Sequence, residues 1–194
     1  MRFISRLALL SLTLSVVASP GLAQKKLCPV PPPSPFKHSG QIVTSFDSSA
    51  RRMRTTLEHP RVLGKGTDAI YLSASFTHQD PRRPSTPTVE VAFISSSTAL
   101  KYRDTHNLVF FCDGKMRPVA GAARYQSRSG GAGTILEATR VTLTYDDLMT
   151  LTRSHKVAAR LGMTEFELTN NHLEALRELA SLMAPSPGRW RADE

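Results

Sequence analysis

The chain is poor in the residues that usually announce chemistry. Its 194 residues hold two cysteines and one tryptophan. Cys-x-x-Cys and His-x-x-x-His are both missing, and His38, His59, His78, His106, His155 and His172 are scattered. No metal site and no cofactor is implied by such spacing. Gly-x-Ser-x-Gly is also lacking, which removes the nucleophile-elbow signature. Gly130-Gly131-Ala132-Gly133 lacks the Gly-Lys-[Ser/Thr] ending of a phosphate loop and reads as a flexible loop. Neither a zinc-finger spacing nor an RNA-binding aromatic motif is present, so nucleic acid is not an expected partner. Beyond the first two dozen residues no apolar run is long enough to span a bilayer.

Acidic residues are the other shortage: 25 Lys+Arg face 16 Asp+Glu. Residues 1–23 read as a secretory signal, with basic Arg2 and Arg6, an apolar stretch from Leu7 to Ala18, and small residues leading to cleavage after Ala23. Without Arg2 and Arg6, 23 bases against 16 acids leave a formal net charge of +7. A secreted or periplasmic location and a basic surface both follow as expectations, and the surface favours an anionic envelope polymer or an acidic protein. In an oxidising compartment Cys28 and Cys112 read as one disulfide. Lys25-Lys26-Leu27 before Cys28 argues against lipidation, and no motif flanks Cys112 to mark a nucleophile.

Residues 24–39 read as a Pro-rich linker and 40–184 as one globular domain, with 185–194, including Trp190, as a tail. Period-two alternation predicts strands over Gln41–Phe46, Arg52–Glu58, Ala69–Thr77, Thr88–Ser95 and Ile135–Leu143. Asn107–Cys112 is apolar on both faces and is expected inside a sandwich or under a helix. Asp113-Gly114 turns it back into 115–120, where Pro118 marks an edge. Gly64 and Gly66, the segment His78–Pro87 and the segment Arg124–Gly133 read as loops.

The most consistent stretch is Val157 to Met183. Gly162-Met163 suits a type II′ turn that pairs Leu161 with Thr164, Arg160 with Glu165, Ala159 with Phe166 and Val157 with Leu168. Thr169 then caps a helix whose stripe is Leu173, Leu176, Leu179, Ala180, Leu182 and Met183. A shorter helix starts at Thr144, with Asp147 completing a capping box and Tyr145, Leu148 and Leu151 facing inward. Val157, Arg160-Leu161-Gly162, Glu165-Phe166-Glu167-Leu168, Leu173 and Leu176-Arg177 resemble a segment of uncharacterised exported bacterial proteins. The resemblance implies no activity.

The expected fold is α+β and β-rich, an antiparallel sheet or β-sandwich with two C-terminal helices packed on it. Helix capping accounts for Asp146-Asp147, and a solvated strand face accounts for Glu165 and Glu167. The candidate binding residues are basic: Arg51, Arg52, Arg54, Arg61, Lys65, Arg82 and Arg83, which form one patch if the 78–87 loop lies at the same end of the sheet. The first functional expectation is an exported, non-catalytic binding or accessory module. The alternatives are a hydrolase whose site assembles from distant residues, and a structural part of an envelope assembly.

Overall fold

The computed structural model describes residues 35–48, 51–58, 60–78, 88–117, 119 and 121–183. Among them the strands are β1 (Gln41–Asp47), β2 (Arg52–Glu58), β3 (Arg61–Lys65), β4 (Asp68–His78), β5 (Thr88–Ser97), β6 (Leu108–Cys112), β7 (Lys115–Arg117), β8 (Arg124–Ser129), β9 (Ile135–Thr144), β10 (Val157–Leu161) and β11 (Thr164–Leu168). Helix α1 (Tyr145–Arg153) follows β9, and α2 (Asn170–Met183) follows β11. A seven-stranded antiparallel sheet runs β1-β2-β4-β5-β9-β8, with β3 also paired to β4. A four-stranded sheet runs β11-β10-β6-β7. The fold is therefore β-rich, with antiparallel sheets and two C-terminal helices packed against them.

Alternation builds the core. Ile70, Leu72, Ala74 and Phe76 of β4 are buried, as are Val89, Val91 and Phe93 of β5, and the register pairs Leu72 with Phe93 and Ala74 with Val91. Side chains of period two then share one face. Phe93 meets the small sheet, with ring centroids 6.1 Å from Phe110 and 5.0 Å from Phe166. Each large side chain buried this way contributes about 1.5–3 kcal/mol relative to an exposed one.

The C-terminal unit has the expected register, Val157 with Leu168 through Leu161 with Thr164. Gly162 has φ +58°, as a type II′ turn needs at its first position. A Cβ there would also collide with the Thr105 carbonyl oxygen, and the Gly162 amide donates to Asn107 O at 2.9 Å. Thr144 caps α1 with the full capping box to Asp147. On α2 the buried residues are His172, Leu173, Ala175, Leu176, Leu179, Ala180 and Met183. Leu182, expected in the stripe, is exposed.

Several expectations need correction. Gly64 lies inside a strand, β3, where its φ of +85° and the close approach of the Asp68 carbonyl leave no room for a Cβ; the strand also carries a bulge between Arg61 and Leu63. Residues 124–129 form β8, an edge strand of the large sheet, and not a loop. The second face of β6 is not sealed inside a sandwich: Val109 and Phe111 are half-buried, and the Arg160 guanidinium lies 5.2 Å over the Phe111 ring. The expected linker ran to residue 39, yet Ser39 N donates to Asn171 Oδ1 at 2.8 Å and His38 bonds Glu178 on α2. The signal at 1–23, most of the Pro-rich stretch, the 79–87 segment, Pro118 and the 185–194 tail lie outside the described residues. No helix among the described residues is long and apolar enough to cross a membrane.

Candidate anion-binding site

The described members of the basic set singled out in the sequence do not form one patch. Arg51 occupies the β1–β2 turn with φ +50°, and Arg52 and Arg54 follow on β2. Met53 pairs with His78 at one end of β4, whereas Lys65 of β3 pairs with Asp68 at the other. Ten residues of strand separate these levels, roughly 33 Å at about 3.3 Å per residue. Arg61 sits part-way, opposite Tyr71. Arg82 and Arg83 lie outside the described residues.

Arg54 belongs instead to a cluster on the outward face of the large sheet. Glu90 of β5 points away from the core, between Ser75 of β4 and Thr142 of β9. Three guanidiniums converge on it from three other strands. Arg54 of β2 approaches Oε1 at 3.4 Å, Arg140 of β9 approaches the same oxygen at 3.6 Å, and Arg124 of β8 bonds Oε2. Arg54 also donates to Ser75 Oγ from Nε at 3.3 Å and from Nη2 at 2.9 Å. Arg140 donates from Nη1 to Gln126 Oε1 at 3.1 Å. Glu90, the three arginines and Gln126, with Tyr125, line a shallow cleft of about 510 Å³. Arg124 is the freest of them, with its side chain 68% exposed.

Beneath the same sheet lies a buried carboxylate. Glu137 of β9 is 1% exposed and accepts from the amides of Lys101 at 2.8 Å and Tyr102 at 2.9 Å, and from the Tyr125 hydroxyl at 2.8 Å. Burial pushes the Tyr125 hydroxyl above its ordinary pKa, and the bond to Glu137 adds to the shift. Tyr125 therefore stays a donor. The arrangement fixes the 98–107 connection to the sheet, a structural role for a carboxylate whose acceptors are satisfied.

Two further hollows carry chemistry-bearing residues. Cys112 is buried and lines a cavity of about 220 Å³ with Phe110, Leu143, Leu151, Arg117, Asp147 and Thr150. Cys28, its expected disulfide partner, lies outside the described residues. A more open cleft of about 490 Å³ holds Asp104 and His106 beside Asn107 and Val119. The His106 ring stacks 5.2 Å from Tyr125, and Nδ1 bonds the Arg103 carbonyl at 3.0 Å. Neither lining combines histidine, carboxylate and a serine or cysteine. Among the described residues no group of three or more His, Cys, Asp or Glu is placed to hold a metal ion.

His172 is buried at the start of α2. Nδ1 accepts from the Thr169 amide at 3.0 Å, which makes Nε2 the donor to the Arg61 carbonyl, also at 3.0 Å. Desolvation lowers its pKa, against a smaller raising effect of the Arg61 bond. The neutral ring thus ties α2 to the head of β3.

Sequence reasoning found Arg54 but missed Glu90's other two partners, Arg124 and Arg140. Arg124 lay in a stretch without apolar alternation, and only the outward phase of β9 marked Arg140. No family model, no curated protein and no solved structure matches this chain.

Proposed function

We propose that the protein is an exported, non-catalytic binding module of the cell envelope whose outward sheet face engages an anionic polymer. One observation carries this reading. By strand phase the outward face holds Arg52, Arg54, Arg61, Arg124, Arg128 and Arg140 against Asp47, Glu58 and Glu90. Such a face raises the local concentration of polyanions. Arg52 and Arg54 on β2 are spaced about 7 Å apart, and Arg124 and Arg128 on β8, with Gln126 between them, about 13 Å, so a flexible chain of repeated anionic groups meets guanidiniums at more than one step. Arginine suits the task because its planar fork bonds carboxylate and phosphate oxygens in pairs.

The test is binding to dextran sulfate of graded length, with uncharged dextran as control. Affinity should rise with polymer length and fall tenfold or more between about 0.05 and 0.5 M salt, as expected for exposed charges beyond a shrinking Debye length. Binding indifferent to salt would sink the reading. Affinity independent of length would favour an acidic protein as the partner. The same reading places the chain in an oxidising compartment, where the Cys28–Cys112 bond is expected. Thiol titration should then find two thiols only after reductant.

A further inference from the structure

We propose that the cleft at Arg54, Arg124 and Arg140 is a discrete site for a doubly charged oxyanion of the phosphate-monoester type, and that Glu90 is its internal stand-in. This rests on the anion-binding reading of the outward face and narrows it to one place and one group.

The geometry is that of a receptor held open. Two of the three guanidiniums are oriented by neutral partners: Ser75 accepts twice from Arg54, and Gln126 accepts from Arg140. Those bonds fix direction without neutralising charge. Ser75 itself is 6% exposed, so its hydroxyl is a buried anchor and not a mobile surface group. Among the described residues only Glu90 pairs with these three positive charges, leaving the cluster of four at a formal +2. A clamp across the strands needs one guanidinium, or two. A third adds mutual repulsion, which a purely structural cluster has no reason to carry.

A phosphate monoester answers that arrangement. It carries close to two negative charges near neutral pH and presents three terminal oxygens. Each guanidinium offers several N–H donors in a fixed fork, so all three engage one phosphate by charge-assisted bonds. A phosphodiester carries one charge and two free oxygens, and fits less well. The cleft of about 510 Å³ admits the group from solvent. Arg124, attached within the cluster through Glu90 alone and mostly exposed, swings from Glu90 to the incoming anion.

Two sources share this chemistry: a soluble phosphate or phosphorylated small molecule, and a monoester headgroup at a lipid surface. The experiment therefore titrates inorganic phosphate into the full chain, and separately measures sedimentation with phosphatidylcholine vesicles containing phosphatidic acid or phosphatidylglycerol. Saturable phosphate binding is expected. Arg124→Ala should weaken it tenfold or more, with Arg124→Lys in between. Glu90→Gln should tighten it about tenfold, because the competing carboxylate is gone. Lys115→Ala, on the other sheet, should change nothing. Preference for phosphatidic acid over phosphatidylglycerol supports a lipid source, and phosphate binding without vesicle binding supports a soluble one. Weaker phosphate binding by Glu90→Gln, in a variant with unchanged melting temperature, overturns the proposal, as does measurable binding of the two vesicles to the same extent. Dextran sulfate binding without saturable phosphate binding sinks this site alone. Saturable phosphate binding without dextran sulfate binding sinks the polymer reading alone.

Discussion

The two faces of β5 share one backbone and have opposite fates. Val89, Val91 and Phe93 are at most 1% exposed and press into the second sheet and the helices. Glu90 and Ile94, one residue out of phase, lie on the opposite face, where Glu90 meets arginines of β2, β8 and β9. The inner face is specified by volume: a missing methylene leaves a void there. The exposed positions of the outer face are specified by charge, while Ser75 and Ala92 on the same face are buried. Stability and recognition are thus separated by a half-turn of one strand.

That separation is open to attack, starting with the largest effect. Phe93→Ala should destabilise the fold by about 3–5 kcal/mol, since it removes the ring that joins the sheets. Chemical denaturation checks this, and anion binding should disappear only where the chain unfolds. Gly162→Ala should cost about 1–3 kcal/mol through a left-handed backbone and a collision with the Thr105 carbonyl. Its melting curve should shift while the affinity of the folded fraction for phosphate does not. His172 gives the separation a pH axis. Its folded pKa lies below its unfolded value of about 6.5. The unfolded chain therefore binds the proton more readily. The stability that neutral His172 supplies is complete above about 6.5 and is lost as pH falls from there through the lowered folded value. Melting temperatures across that window should show the decline, and His172→Gln should flatten it. Arg124→Ala should have the smallest effect on stability, within about 0.5 kcal/mol, because an exposed ion pair contributes little. It should have the largest effect on binding. A large loss of stability in that variant would erase the distinction between the faces.

Much of the inner architecture was legible in the chain. The β10–β11 register follows from sorting Val157, Ala159, Leu161, Phe166 and Leu168 to one side, because a slip of one residue exposes them all. β4 and β5 follow from clean alternation. β8 was hidden because its inward positions are Tyr125, Ser127 and Ser129, which give no apolar signal; Tyr125 serves Glu137 by its hydroxyl. β3 was hidden because Gly64 and Gly66 read as punctuation, whereas Gly64 pairs with Ala69 inside the strand. The arginine cluster was illegible for a different reason. Its members come from β2, β5, β8 and β9, and only the strand order brings them together. Arg54 was grouped with Arg51 and Arg52, which stay beside it, and with Arg61 and Lys65, which turn out to be distant along β4.

The small sheet also dictates when the molecule acquires its shape. Its central strand β6 finds one partner immediately in β7 and the other only at β10, more than forty residues later. Closing so long a loop carries a large entropy penalty before any pairing is gained, so assembly of this topology should be slow. A nascent chain lacking β10, β11 and α2 leaves Phe93 and Phe110 without their cover. Such a chain keeps its two sheets apart until β10, β11 and α2 have been made, so the core is sealed late in the order of the elements.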